Sequence, residues 1–139
     1  MTAGRAEDHH GLRVLDETTC LDLLGGMSIG RLGFSAGALP VIFPVNFTLD
    51  GRTIVMLTED GQKVDAARKG VVACFEVDWF DPFSHIGWSV LATGRLELVE
   101  GARVDELRRL PLAPWALEHP DRFLELPIEV VSGRRLGNL

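Results

Sequence analysis

Tyrosine is missing from this chain of 139 residues, so any mechanism that needs a phenolic acid is out. Cysteine occurs only as Cys20 and Cys74, both in apolar surroundings and far apart. Two such thiols fit buried, reduced side chains better than a disulfide framework or a zinc site. Cationic charge is short as well: 14 Lys and Arg face 20 Asp and Glu, for a net charge of −6. The whole-molecule field therefore repels nucleic acid and anionic membranes, although a locally positive site can still take one phosphorylated ligand. No apolar run reaches the roughly 18 residues of a membrane span, and no signal-peptide pattern opens the chain. A cytoplasmic location, with neither nucleic acid nor membrane as partner, is expected.

Catalytic signatures are equally scarce. The chain has no Ser/His/Asp grouping in a nucleophile-elbow context, no HExxH, no GxGxxG after a strand and no GxxxxGK[ST]. Its 4 histidines, His9, His10, His85 and His119, scatter over a polar leader and loops. His9-His10 has no Cys or His partner at metal spacing, and His85, upstream of Trp88, reads as a surface or turn histidine. No catalytic side chain can be assigned and no metal site is expected. A chain so poor in acid–base groups can leave the chemistry to a cofactor.

What is present fits one soluble globular domain: 46% hydrophobic and 24% charged residues. Residues 1–12 read as a disordered leader and residues 13–139 as the domain. "DETTCLDLLGGM" predicts a short helix capped by Asp16 or Thr18, with Leu21 and Leu24 on one face and Gly25-Gly26 as its stop. Strand signals follow in "IGRLGFSA", "VIFPVNFTL", "TIVMLT", "VVACFEVDWF", "HIGWSVLATGRLELVE" and "RFLELPIEVVSGRRL". Asp50-Gly51 marks a hairpin, and Gly94 a bend or bulge. "VDAARKG" and "ARVDELRRL" add short helices, and "PLAPWALEHPD" a proline-punctuated loop. Too few long crossovers exist for a parallel sheet, so a mainly β fold, a small antiparallel barrel with short peripheral helices, is predicted.

Two stretches point to a ligand. In "LTEDGQKVDAARKG" a strand ends at Thr58 and a helix opens with Lys63. A hydroxyl, a glycine-permitted backbone approach at Gly61 and a point charge beside helix amides suffice for a terminal phosphate monoester. T-x-x-G-x-K also fits an ordinary surface turn. In "FPVN", Pro44 cannot donate to a ladder, so it fits either a bulge or a strand whose peptide groups face a flat ligand.

In order, "GRLGF…LPVIFPVNF…DGRTIVMLTEDGQK…VACFEVD…GWSVLATGR…PWA…GRRL" resembles the pyridoxamine 5′-phosphate oxidase-like family of FMN-binding split barrels. It is most similar to the small actinobacterial branch that also resembles nitroimidazole-resistance reductases, and the likeness runs from about residue 14 to residue 136. The resemblance implies a homodimer of split β-barrels with FMN, or a related deazaflavin coenzyme, at the subunit interface. Phe43, Pro44, Val45 and Asn46 match the strand along the isoalloxazine, and Leu57 and Thr58 the strand end near the ribityl phosphate. Gln62 and Lys63 match the pair where the family places basic phosphate ligands, with Gln62 a departure. Trp88 and Ser89 match positions that reach the flavin, in many members from the partner subunit. Trp88 also fits the dimer core; Trp115 could cover the flavin or anchor its loop, with anchoring expected; "FEVDWF" is expected to be a buried strand at the dimer seam.

"VSGRRL" only loosely matches the substrate segment of true pyridoxamine phosphate oxidases. The implied activity is therefore an FMN-dependent oxidoreductase on an unspecified small molecule. The alternatives are a deazaflavin-dependent reductase, whose basic groove would draw on Arg68, Lys69 and Arg134, and a non-enzymatic flavin- or haem-binding split barrel.

Overall fold

The computed structural model describes residues 6–7, 13–112 and 120–137. Helix α1 (Glu17–Gly25) begins where Asp16, in extended backbone, accepts a hydrogen bond from the Thr19 N–H at 2.8 Å. That bond, helped by the Thr19 hydroxyl, holds the Asp16 carboxyl below its usual range. Cys20 and Leu24 form the buried face, with Leu21 only partly covered, and desolvation pushes the Cys20 thiol up. The helix stops at Gly26 in right-handed conformation (φ −86). The stop thus needs no left-handed glycine.

Strands β3 (Ile29–Ala36), β4 (Leu39–Asp50) and β5 (Thr53–Thr58) form a meander, and α2 (Gln62–Lys69) follows. Gly70 ends α2 in the left-handed conformation (φ 63), where a side chain would be strained. Then come β6 (Val72–Asp81), β7 (Ile86–Arg95), β8 (Glu97–Leu98), α3 (Ala102–Leu107) and β9 (Arg122–Leu136). Two-residue strands β1 (Ala6–Glu7) and β2 (Arg13–Val14) continue the sheet beside β9. His85 sits in the β6–β7 turn with positive φ (57), its N–H bonded to the Asp81 carbonyl at 3.0 Å. It is a turn histidine. His9, His10, Trp115 and His119 lie outside the described residues.

All pairings are antiparallel, in the order β9-β5-β4-β3-β6-β7, and β7 pairs back onto β9. The ring closes because β9 is long enough to serve two neighbours. Residues Arg122 to Pro127 pair β5, and Ile128 to Leu136 pair β7. The register shifts between Thr93 and Gly94, where a Cβ on Gly94 would lie 2.2 Å from the Pro127 carbonyl oxygen. Backbone cannot give way as a flexible side chain can. Gly94→Ala is expected to destabilise by about 1–3 kcal/mol, the range for overpacking a filled site; urea unfolding measures it.

Alternation places Leu32, Phe75 and Ala92 inside the ring, all fully buried. Phe75 meets Phe47 edge-on, with centroids 4.7 Å apart at 67°. Gly30 makes room for its ring, since a Cβ there would lie 2.2 Å from Phe75 Cζ. On β5, Ile54 and Met56 face this core, while Val55 and Leu57 join a second cluster with Val99, Leu107 and Phe123 beneath α3. Coverage of both faces explains why "TIVML" is a continuous apolar run. In the single chain, "FEVDWF" is buried at Phe75 and Val77, while Trp79 and Phe80 are about half exposed.

On the outer face, Arg31 of β3 lies opposite Glu76 of β6. Its Nη1 is 3.1 Å from Glu76 and 3.4 Å from Asp78. One guanidinium cannot neutralise two carboxylates. Desolvation first, then the hydrogen bond and charge of Asp78, outweigh Arg31 and raise the Glu76 pKa to about 7. The folded state therefore holds this proton more tightly than the unfolded chain. Its contribution is full at acidic pH and is lost as pH rises towards 7. Glu76→Gln is expected to flatten the fall in stability between about pH 4.5 and 7, read from thermal unfolding at several pH values.

Candidate functional site

Strand β4 outlasts β5. Their pairing runs from Asp50↔Thr53 to Asn46↔Leu57, whereas β4 stays paired to β3 as far as Ala36↔Leu39. Among the described residues, none pairs with residues 39–45 of β4 on the β5 side, which leaves a free edge there. Pro44 sits there, opposite Arg31 in an unbroken β3 ladder. No bulge accommodates it, so that half of the sequence expectation is set aside. A nitrogen without hydrogen fits a ladder only where it faces no strand. Because the N and C=O of an extended residue point the same way, the Pro44 carbonyl is directed to the free edge.

A cavity of about 510 Å³ occupies the corner, lined by Ile29, Pro44, Val45, Asn46, Leu57, Thr58 and Lys63. Asn46 and Thr58 are the buried polar residues among those described, 5% and 3% exposed. Both line this one cavity, whose other walls are largely apolar, the mix of a few polar groups in an apolar hollow that small-molecule sites commonly show.

Beyond Thr58 the chain turns into α2 through Gly61, at φ 146 and ψ −149, a conformation essentially reserved for glycine. The Gly61 N–H donates to the Asp60 carboxylate at 3.0 Å. The N-cap of α2 is Gly61, which has no side chain to cap the helix, so first-turn amides and the positive end of the helix dipole lie at the corner. The Lys63 Nζ lies 4.6 Å above the Phe43 ring. Desolvation lowers its pKa, and Glu59 partly offsets this. Among the described residues, no carboxylate forms an ion pair with it. A half-buried ammonium with no ion-paired carboxylate among the described residues is chemically suited to an anionic ligand.

Of the residues singled out by sequence, Pro44, Val45, Asn46, Leu57, Thr58 and Lys63 meet at this cavity, with Phe43 beneath the lysine. Gln62 does not join them. It lines a separate cavity of about 330 Å³ with Ser35, Asp65 and Lys69. Trp88 and Ser89 lie on β7, opposite Trp79 and Asp78, and neither lines the Lys63 cavity. Trp88 packs on this chain's own core. Arg68 and Lys69 line another hollow, shared with the acidic Glu97 and Glu100. They do not extend the Lys63 cavity into a basic groove, and Arg134 lies opposite Ser89 on β9. Sequence reasoning missed Ile29, which lines the cavity because the β3–β4 register sets it opposite Asn46, a placement no local sequence signal marks.

The family profile for pyridoxamine 5′-phosphate oxidase matches residues 16–135. The chain belongs to that family. An uncharacterized protein of Mycobacterium tuberculosis (strain ATCC 25618 / H37Rv) is 36% identical over 129 residues, 88% of this chain and 84% of its relative. The FAD binding protein from Mycobacterium smegmatis superposes with a TM-score of 0.75 at 30% identity, covering 88% of this chain and 97% of that one. The FAD and heme binding protein from Mycobacterium smegmatis shares the fold at 18% identity, with a TM-score of 0.70 over 88% of this chain and 72% of its own. The pyridoxamine 5′-phosphate oxidase-like split barrel read from the sequence is therefore the fold of this protein, and its structural neighbours include FAD binding proteins.

Proposed function

We propose that the chain binds a flavin coenzyme in the Lys63 cavity, as a homodimer, and acts as an FMN-dependent oxidoreductase on a small molecule. The observation that carries this is the meeting, in one cavity, of the free β4 edge at Pro44 with the Thr58–Lys63 corner. An extended peptide edge suits a flat heteroaromatic ring with polar rim atoms, and a cation beside helix amides suits a phosphate. A volume of about 510 Å³ lies within the range of small-molecule sites.

In this arrangement the Pro44 carbonyl and the Asn46 side chain orient the ring. Thr58, Lys63 and the first amides of α2 hold the phosphate. Ile29 and Leu57 shield the ring from water. The flavin, when bound, supplies the two-electron chemistry. A second chain finds exposed apolar side chains on the outer face, Ile42 of β4 at 71% and Leu91 of β7 at 42%.

FMN is the leading choice of coenzyme, with a deazaflavin or haem as alternatives. Lys63 is the one titratable side chain in the lining, and this favours a second reading, a binding protein without turnover. The deciding experiment is a spectrum of freshly purified protein, followed by FMN and deazaflavin titrations and reduction by NAD(P)H. A flavin spectrum with reduction supports the oxidoreductase, tight FMN without reduction supports the binding protein, and no uptake of either coenzyme rejects the assignment.

A further inference from the structure

A phosphate monoester carries close to two negative charges at neutral pH, yet the cavity lining holds one cation, Lys63. The neighbouring residue, Gln62, is neutral and faces another cavity. Strand register supplies a second cation. Arg122, the first residue of β9, is the cross-strand partner of Thr58. Directly opposed residues share a sheet face, with Cβ atoms about 5 Å apart, so Arg122 and the Thr58 hydroxyl rise side by side.

The Arg122 guanidinium reaches over the end of β5 to the loop that leads into α2, where Nη2 lies 3.7 Å from Asp60 Oδ2. This is long for a charge-assisted hydrogen bond. The Asp60 carboxylate is also 65% exposed and already accepts the Gly61 N–H. Arg103, by contrast, meets Glu106 at 2.7 Å, Glu125 at 3.2 Å and Asp50 at 3.3 Å. Arg122 is thus a cation weakly held by its anion, docked on the same loop that delivers Lys63.

We propose that Arg122 is the second cation of the phosphate corner, closing on the ligand from β9 while Lys63 approaches from α2. This rests on the assignment of a phosphorylated flavin to the cavity. Asp60 and Glu59 are the opposing charges, and Asp60 competes with the ligand for Arg122. The corner then selects phosphorylated over phosphate-free flavin through two elements far apart in sequence.

The test is titration of the full chain with FMN and with riboflavin, with thermal melts to confirm folding. Arg122→Gln is expected to weaken FMN binding roughly tenfold to a hundredfold and to leave riboflavin binding within about twofold. Arg122→Lys recovers part of the loss, because charge is kept and the fork geometry is not. Asp60→Asn, which frees the guanidinium, tightens FMN. If Arg122→Gln leaves the FMN-to-riboflavin ratio unchanged while the wild type binds FMN, the proposal is overturned and the cavity assignment survives. If the wild type binds neither flavin, both fall.

Discussion

Lys63→Met is expected to weaken FMN binding by about 1.5–3 kcal/mol, a factor of roughly 10–150, and to leave the apo protein at least as stable as the wild type. The two effects have one origin. Lys63 is half-buried over Phe43 without an ion pair to a described carboxylate, and desolvation lowers its pKa, with Glu59 offsetting only part. Keeping that ammonium charged in the free protein is unfavourable, so methionine, with a similar stem and no charge, removes the penalty. A phosphate reverses the sign, because the ligand supplies the missing anion. A lysine with a depressed pKa also loses its proton at lower pH than a free one. FMN affinity is therefore expected to fall on the alkaline side at lower pH than an exposed lysine would give, and the Lys63→Met variant should lack that limb. Fluorescence titration across pH and a parallel melt of the apo proteins measure both. A variant with lower apo stability and unchanged FMN affinity would make Lys63 a structural residue.

Phe75→Ala is expected to cost about 3–5 kcal/mol of folding stability, a large share of the roughly 5–15 kcal/mol that holds a typical domain together. The side chain is fully buried, sits edge-on to Phe47 at 4.7 Å, and fills the space left by Gly30. Truncation removes its apolar burial, the aromatic pair and the filling above a glycine that cannot grow inwards. Phe75→Leu keeps most of the volume and is expected to lose appreciably less. Urea unfolding of the apo chain separates the two. A Phe75→Ala loss below about 1 kcal/mol would mean that the ring collapses to fill the gap, against the close packing described here.

Much of the fold was legible because it is written locally. Alternation in "IGRLGF" and "CFEV" gives strand faces, Asp16 is a cap, and Gly70 demands a left-handed stop. The Thr58–Lys63 half of the site was legible for the same reason, since six consecutive residues carry it. Features set by register were not. Whether Pro44 sits at a bulge or a free edge depends on where β5 ends, which no residue of β4 encodes. The Arg31–Glu76–Asp78 cluster unites residues from β3 and β6, far apart in sequence. Arg122 joins Thr58 only because β9 returns to close the ring. The resemblance grouped Gln62 with Lys63, but successive helical residues point about 100° apart, and the two side chains line different cavities.

The most direct measurement is a crystal structure of the protein grown with FMN. The expected result is the isoalloxazine along the free edge of β4 at Pro44–Asn46, with the phosphate beside Thr58 and within hydrogen-bond reach of the Lys63 Nζ. Density for FMN elsewhere, or an empty corner in crystals whose protein binds FMN in solution, would contradict it.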